Sequence, residues 1–155
     1  MRTILVDAYF NNNLGDDLFL KILIDNFPNY SFQFLVKNEA QVRAFLSHDR
    51  ISFIGRKEAL LKVRNYDAFV YIGGSLFQEH KHWRNQYRIL STTIKWCKIN
   101  SVPTFILGFN FGPYKNDQFL KKYTSLFKKV NSLSVRDKKS FELLKGEGLE
   151  NISIH

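Results

Sequence analysis

The sequence contains a single cysteine, Cys97, and only 3 prolines among its 155 residues. A single cysteine excludes an internal disulfide. We interpret it as a partly buried thiol rather than a nucleophile, because no base accompanies it in a recognisable pattern. The scarcity of proline and a hydrophobic content of 45%, with 15 phenylalanines, exclude a disordered chain. The length is sufficient for one domain with a substantial core.

Long hydrophobic runs are also absent. No stretch reaches the roughly 18 consecutive apolar residues that a transmembrane helix requires. Asp7 interrupts the first apolar run too early for the core of a signal peptide. We therefore expect a cytoplasmic protein.

Acidic residues are few relative to basic ones. The 14 Asp and Glu residues against 23 Lys and Arg give a formal net charge of +9. This charge favours an anionic partner, which could be nucleic acid, a membrane surface, or phosphorylated or carboxylated substrates. No arginine-rich run, RNA-binding pattern or helix-turn-helix pattern accompanies the charge, so we expect no nucleic-acid partner.

Short apolar runs alternate with amphipathic stretches along the sequence. Strands are predicted at 3–8, 31–36, 51–54, 67–72, 103–109, 132–135 and 151–154. Helices are predicted near 16–27, 39–46, 57–64, 85–99, 117–130 and 137–145. This alternation is typical of right-handed βαβ units. The predicted fold class is therefore α/β, a three-layer Rossmann-like parallel sheet flanked by helices.

The last residues have a pattern of their own. Gly146 and Gly148 are predicted to end the last helix, and 151–154 has the composition of a further strand. A buried parallel strand is an unusual terminus. We therefore expect residues 1–155 to form one Rossmann-like domain, the first half of a longer protein.

Open parallel sheets bind ligands beyond the carboxyl ends of their strands, and the first loop in such a position is 11–17. It contains Asn13, Gly15, Asp16 and Asp17. Gly15 permits a sharp turn, and the helix dipole favours the two carboxylates at the helix start. Adjacent carboxylates would repel a phosphate, whereas they suit sugar hydroxyls or a basic side chain. The alternative is that the loop serves only as a helix cap and a tight turn.

The second loop combines paired glycines with polar side chains, namely Gly73, Gly74, Ser75 and Gln78. Glycine amides and a serine hydroxyl suit an oxygen-rich ligand. The polar and aromatic segment that follows could form a wall or lid, and His80 in it is a candidate general base. His80 and His82 lack further ligands in pattern, so no metal site is predicted, and ordinary surface histidines are the alternative.

The third and fourth loops follow the predicted strands 103–109 and 132–135. In the third, Gly112 and Pro113 are predicted to turn the chain into helix 117–130, while Asn110 could offer its amide to the crevice. In the fourth, Asp137 can cap a helix while Arg136 points toward the crevice. An arginine suits a carboxylate or phosphate because its fork donates two parallel hydrogen bonds. The alternative is that this pair only ties loops together.

Taken in order, these four segments resemble the polysaccharide pyruvyl transferase family. That family shows an N-x-G-D-[DE] loop, a G-G-x loop, a G-x-x-x-G-P turn and an S-V-R-D-x-x-S segment. The matching residues are Asn13, Gly15, Asp16, Asp17, Gly73, Gly74, Gly108, Gly112, Pro113, Ser134, Val135, Arg136, Asp137 and Ser140. Ser75 stands where a third glycine is common, and Phe109-Asn110 replaces a frequent Gln-Gly pair. Both departures change the shape of the crevice and therefore bear on the acceptor.

The resemblance implies two facing Rossmann-like halves, as in B-type glycosyltransferases, with this chain as the first half. It implies transfer of pyruvate from phosphoenolpyruvate to two hydroxyls of a saccharide or lipid-linked saccharide as a ketal, with no other cofactor. The catalytic candidates are Asp16, Asp17 and His80. The substrate-binding candidates are Asn13, Gly15, Gly73, Gly74, Ser75, Gln78, Asn110, Gly112, Arg136 and Asp137.

Other functions fit parts of the same pattern. One is a B-type glycosyltransferase that uses a nucleotide sugar, and another is a non-catalytic basic module that binds a glycan, nucleic acid or protein. The lysines that flank helix 117–130 also suggest peripheral contact with the inner face of a membrane. The alternative to membrane contact is that the apolar stripe packs on the sheet and the lysines are simply solvated. The lysines concerned are Lys121, Lys122, Lys128 and Lys129.

Overall fold

The structure is a computed structural model that describes residues 2–10, 14–36 and 38–154. Its strands are β1 Arg2–Ala8, β2 Tyr30–Leu35, β3 Ile51–Ile54, β4 Ala68–Ile72, β5 Thr104–Phe109, β6 Ser132–Val135 and β7 Ile152–Ile154. Its α-helices are α1 Leu14–Asn26, α2 Arg56–Leu61, α3 Trp83–Ile99, α4 Asp117–Phe127 and α5 Lys138–Gly146. The strands of the described residues form one parallel sheet in the order β3-β2-β1-β4-β5-β6-β7.

This architecture confirms the predicted α/β class and the position of every predicted strand. The helices differ in detail. The predicted helix 39–46 is a 3₁₀ segment, Glu39–Phe45, with a kink at Val42. Its buried side chains, Val42 and Phe45, are three residues apart. A 3₁₀ turn places residues with this spacing on one face, as an α-helix does, so the spacing does not distinguish the two helix types. The predicted helix 57–64 divides into α2 and a 3₁₀ turn at Val63–Asn65.

The sheet has two unequally covered faces. Helices α2 to α5 pack on the first face, where Leu5, Phe69 and Leu133 belong to one apolar cluster with residues of those helices. The second face is covered by α1 and the segment Glu39–Phe45, which pack on residues such as Val6 and Phe34. This division is what right-handed crossovers produce. The segments that connect β1 to β2 and β2 to β3 lie on the second face, and the helices that connect β3 to β7 lie on the first.

Helices α3 and α4 direct their apolar stripes into the first-face core. Cys97 of α3 is buried, and burial raises the pKa of its thiol to about 12, so this residue acts as a small core side chain. The apolar stripe of α4, which includes Phe119 and Phe127, is fully buried. The exposed side of α4 is polar and includes Lys121 and Lys122. None of the helices in the described ranges has the length and apolarity needed to cross a bilayer.

An aromatic cluster centred on Phe77 anchors the loop that follows β4 to the first-face core. The Phe77 ring lies edge-on to Phe109, Tyr123 and Phe127, with ring centroids 4.8, 5.1 and 4.9 Å away. Edge-to-face pairs contribute about 0.5–1.5 kcal/mol beyond their buried area. Within the described residues, Tyr123 Oη is a buried polar atom without a hydrogen-bond partner.

We expect Tyr123→Phe to raise the free energy of unfolding by about 1 kcal/mol, because it removes an unsatisfied buried hydroxyl and leaves the ring in place. Denaturant unfolding of both proteins measures the change. Tyr66→Phe is the matched control. The Tyr66 hydroxyl donates to Gln33 Oε1 at 2.5 Å, so its loss should lower stability. A loss of stability in Tyr123→Phe would contradict the assignment.

Candidate functional site

An open pocket of about 360 Å³ lies beyond the carboxyl ends of the central strands. Its lining residues are Tyr9, Gly15, Asp16, Phe19, Gly74, Ser75, Leu76 and Arg136. These residues come from the loops after β1, β4 and β6 and from the start of α1. Parallel strands end at the same edge of a sheet, and this brings residues that are far apart in sequence into one pocket.

Gly74 is the point where the two charged sides of the pocket meet. Its backbone N–H points to Asp16 Oδ1 at 3.4 Å. On its other side, a Cβ at position 74 would lie 2.5 Å from Arg136 Nη1 and 2.9 Å from Arg136 Cζ. The guanidinium therefore occupies the space that any other side chain would fill. The preceding Gly73 has φ +149, a conformation that side chains rarely adopt.

Two oxygen atoms hold Arg136 in this position. Its Nη2 donates to Asn110 Oδ1 at 3.2 Å and contacts Ser75 Oγ at 3.5 Å. The neighbouring Asp137 caps α5, since its side chain accepts hydrogen bonds from Ser140 N at 2.8 Å and Ser140 Oγ at 2.6 Å. This cap fixes the backbone at the start of α5. The Asp137 side chain therefore points to the helix terminus, and the adjacent Arg136 side chain points to the pocket.

The two adjacent aspartates of α1 have different surroundings. Asp16 lines the pocket, whereas Asp17 lies beside it in the first helical turn. Partial burial and the charge of Asp16 raise the pKa of Asp17. Asp16 is therefore the carboxylate that lines the pocket, and the surroundings of Asp17 disfavour its charged form.

Backbone contacts join the loops after β4 and β5 into one rim. Phe77 and Phe111 form a parallel β-bridge. Gly112 N donates to Phe77 O at 2.7 Å, and Asn110 N donates to Gly74 O at 2.9 Å. The rim is thus a continuation of the sheet, in which Asn110 contacts Gly74 and Arg136 and Gly112 contacts Phe77. Neither Asn110 nor Gly112 lines the pocket itself.

Glu79 also connects the loops after β4 and β5, through residues that do not line the pocket. Its Oε2 accepts hydrogen bonds from the backbone N–H groups of Lys115 and Asn116, at 2.5 and 2.9 Å. These bonds stabilise the charged carboxylate and hold the pKa of Glu79 below its usual value. Glu79 was not predicted as a site residue. A carboxylate whose partners are backbone amides of a distant loop leaves no pattern in the sequence.

His80 lies apart from the pocket that holds Asp16 and Arg136. It lines a neighbouring depression with Glu79, Lys81, Trp83, Arg84, Pro113, Tyr114 and Lys115. His80 Nδ1 accepts from the backbone N–H of His82 at 3.2 Å, and Nε2 lies 3.1 Å from Gln86 Oε1. An accepting Nδ1 leaves the proton on Nε2, which donates to Gln86. Both ring nitrogens are therefore engaged within the protein.

A partly buried ion pair lies near the same edge of the sheet, between β1 and α2. Arg56 Nη2 donates to Asp7 Oδ2 at 2.6 Å, and Arg56 Nη1 donates to Thr93 Oγ1 at 3.2 Å. Burial raises the pKa of Asp7, and Arg56 opposes that rise. Because the largely buried Asp7 carboxylate would be costly without a partner, Arg56 stabilises it and ties α2 to this edge of the sheet.

The structure groups the predicted site residues unevenly. It places Gly15, Asp16, Gly74, Ser75 and Arg136 around one pocket. Gly73, Asn110 and Gly112 support that rim, and Asp137 is committed to a helix cap. His80 and Gln78 do not line this pocket, and Asn13 is outside the described residues. The sequence interpretation missed Tyr9, Phe19 and Leu76, whose apolar character gave no sign of a position in a polar pocket.

Comparisons with known proteins give a consistent family. A family profile described as "Polysaccharide pyruvyl transferase" matches residues 13–155. The chain is also similar to the "Amylovoran biosynthesis protein AmsJ" of Erwinia amylovora, with 26% identity over 147 residues. The alignment covers 89% of this chain and 33% of that relative. The chain therefore spans about one third of the length of this curated relative.

Glu79 yields a prediction for the pH dependence of stability. Because its folded-state pKa is depressed, the stabilisation from the carboxylate is complete above its ordinary pKa of 4.5 and is lost as the pH falls through the folded-state pKa. We expect the melting temperature of the wild type to exceed that of Glu79→Gln at neutral pH. The difference should shrink as the pH falls below 4.5.

Thermal unfolding across the acid range measures this difference. Glu142→Gln is the control, since Glu142 pairs only loosely with the exposed Lys138, at 3.6 Å. Exposed pairs of this kind contribute little, so this variant should follow the wild type at every pH. A difference for Glu79→Gln that stays constant with pH would contradict the role assigned to the carboxylate.

Proposed function

The chain belongs to the polysaccharide pyruvyl transferase family, and we propose that it forms the acceptor-binding side of an enzyme that transfers pyruvate from phosphoenolpyruvate to a saccharide. The observation that carries this proposal is the placement of Asp16 and Arg136 on either side of the Gly74 backbone in one pocket. A carboxylate that accepts from hydroxyls and a guanidinium that binds an anion are the two groups that such a reaction requires.

The proposed reaction forms a cyclic ketal. Two hydroxyl oxygens of the acceptor bond to C2 of phosphoenolpyruvate, and the bond between C2 and the phosphate oxygen breaks. Of the two hydroxyl protons, one is transferred in the net reaction to the methylene C3, which becomes a methyl group. The other leaves with the phosphate. The protein must therefore orient two hydroxyls, move protons and stabilise an anionic donor.

The residues of the pocket suit separate parts of this task. Asp16 is assigned to a hydroxyl of the acceptor, because its carboxylate lines the pocket and accepts hydrogen bonds. Arg136 is assigned to an anionic group, either the carboxylate or phosphate of the donor or a phosphate of the acceptor. Asp17, whose pKa is raised by partial burial and by the charge of Asp16, is a candidate for holding a proton. Neither nitrogen of His80 is available as a base without breaking a hydrogen bond.

The biological setting is proposed from the relative. Similarity to a protein named for amylovoran biosynthesis supports a role in exopolysaccharide assembly. We place the reaction in the cytoplasm, at the inner face of the membrane where lipid-linked intermediates would be met. The exposed lysines of α4 suit peripheral contact with an anionic surface. A second Rossmann-like half that faces this one, as in B-type glycosyltransferases, would supply most of the donor-binding basic residues.

We expect Asp16→Ala and Arg136→Ala to reduce transfer by about 100-fold or more, because each removes a group that contacts the reacting molecules. Acceptor-dependent phosphate release from phosphoenolpyruvate, in a full-length enzyme that contains this domain, measures the loss. Asp117→Ala, in the first turn of α4, and Arg88→Ala, on the exposed side of α3, are matched controls. Transfer at wild-type rates in both pocket variants would refute the proposed site. Activity with a nucleotide sugar and none with phosphoenolpyruvate would favour a glycosyltransferase.

A separate prediction concerns the width of the pocket. Gly74→Ala should abolish most of the transfer while the protein stays folded, because the new Cβ would meet the guanidinium of Arg136 at 2.5 Å, and this exposed side chain can swing away. Thermal unfolding and the transfer assay are measured together. Gly146→Ala, where a Cβ would meet nothing within 4 Å, should leave transfer unchanged. Full activity of Gly74→Ala would show that the position of Arg136 is unimportant.

A further inference from the structure

A second depression lies next to the pocket that Asp16 lines. We call that pocket the polar pocket and this depression the basic depression. Its volume is about 460 Å³. Its lining includes three cations and two aromatic residues, namely Lys81, Arg84, Lys115, Trp83 and Tyr114. Cations attract an anionic group, and aromatic rings offer apolar surface. A ligand that suits this combination is an anion with an apolar face.

The three cations of the basic depression are not neutralised by ion pairs. Within the residues that the structure describes, none of them pairs with a carboxylate. The lining also contains Glu79, whose Oε2 accepts hydrogen bonds from the backbone N–H groups of Lys115 and Asn116. This carboxylate is therefore already engaged, and the depression keeps an excess of positive charge for a ligand.

Arg84 is held in place by its neighbours. Its Cζ lies 4.7 Å from the centre of the Trp83 ring, and its Nη2 donates to Gln118 Oε1 at 3.3 Å. Trp83 is buried, and its ring lies edge-on to Phe119 with centroids 5.2 Å apart. The guanidinium thus rests on a fixed ring. It has less conformational freedom to lose when an anion binds.

The ring of Tyr114 is supported from the core. It stacks on Phe119, with ring centroids 5.9 Å apart and an angle of 16° between the ring planes, and Phe119 is fully buried. The Tyr114 side chain is half-buried, so part of the ring remains to line the depression. The C–H groups of a pyranose ring form an apolar face that packs on aromatic surface. Tyr114 is therefore suited to a sugar unit.

A saccharide that occupies the polar pocket can also reach the basic depression. Leu76 lines the polar pocket, and Glu79 lines the basic depression. These residues are three positions apart, so their Cα atoms are at most about 11 Å apart. Phe77, which lies between them, is joined to Phe111 by a β-bridge. The separation of the two sites is therefore fixed, and a few sugar units can span it.

Charge is distributed unevenly along the chain. Residues 80–131 contain ten of the 23 Lys and Arg residues and a single acidic residue, Asp117. The other residues carry equal numbers of basic and acidic side chains, so the net charge of +9 resides in this segment. The segment includes α3 and α4, which begin at or near the basic depression. A surface with this charge attracts an anionic polymer.

We propose that the basic depression binds an acidic sugar unit of the acceptor, a uronic acid or another sugar that carries a carboxylate. The inference rests on the proposed function, since it adds a charged unit to the saccharide acceptor. The carboxylate would pair with the fork of Arg84, and the pyranose ring would pack on Tyr114. Lys81 and Lys115 would add attraction at the edge of the site. The reacting hydroxyls would belong to a different unit of the same saccharide, in the polar pocket.

The test compares tetragalacturonate with its fully methyl-esterified form, which has the same sugar rings and no charged carboxylate. Isothermal titration calorimetry with the 155-residue chain measures both affinities, with no phosphoenolpyruvate present. We expect the free acid to bind about tenfold or more tightly, because charge-assisted hydrogen bonds form only with the carboxylate.

Arg84→Gln and Arg88→Gln are a matched pair of variants. Both remove one positive charge from exposed positions on α3, about one turn apart, and Arg88 does not line the basic depression. Arg84→Gln should abolish most of the preference for the free acid, whereas Arg88→Gln should retain it. Thermal unfolding verifies that both variants are folded.

Variants of Tyr114 test the contact with the sugar ring. Tyr114→Leu should weaken binding of the acid and of the ester by a similar factor, because packing on the ring does not depend on the carboxylate. Tyr114→Phe keeps the ring and should bind both forms as the wild type does. Unchanged affinities in Tyr114→Leu would contradict a sugar unit at this ring.

Three further results would overturn the inference. Equal affinity of the wild type for the acid and the ester would exclude a carboxylate site. Equal losses of preference in Arg84→Gln and Arg88→Gln would indicate attraction by the overall charge instead of a defined site. Tighter binding of uridine diphosphate than of the free acid, lost in Arg84→Gln, would identify a nucleotide site. Because the donor is absent from these measurements, a failure of pyruvyl transfer would refute the proposed function and leave this result unaffected.

Discussion

Arg136 lies against the Cα of Gly74, and this contact sets the width of the pocket between the guanidinium and the carboxylate of Asp16. Any side chain at position 74 would force the two charges apart. The capped start of α5 aims Arg136 inward, and Asn110 and Ser75 hold its guanidinium. The chemistry proposed for the pocket therefore depends on the absence of a side chain at position 74, in the loop between β4 and α3.

Much of the fold could be predicted because the relevant signals are local. The apolar runs of the strands and the one-face spacing of helix 117–130 identify elements without knowledge of their neighbours. Gly148, with φ +78, ends α5 as its position in the sequence indicates. The 3₁₀ segment Glu39–Phe45 was harder to predict, since two buried side chains three residues apart fit both helix types.

The site could be predicted only in part, because several of its contacts join distant loops. Arg136 and Gly74 follow different strands, and the shared edge of a parallel sheet was enough to predict that they meet. The hydrogen bonds of Glu79 to backbone amides, and the engagement of both nitrogens of His80, depend on loop geometry that residue types do not encode.

The bridge between Phe77 and Phe111 continues the sheet past the ends of β4 and β5, and the ring of Phe77 is buried among aromatic side chains. These two loops are thus part of the rigid framework. Little conformational entropy remains to be lost there when a ligand arrives, which favours affinity from preorganisation. Adaptation to ligands of different shape would then fall to the opposite wall, where α1 carries its acidic first turn.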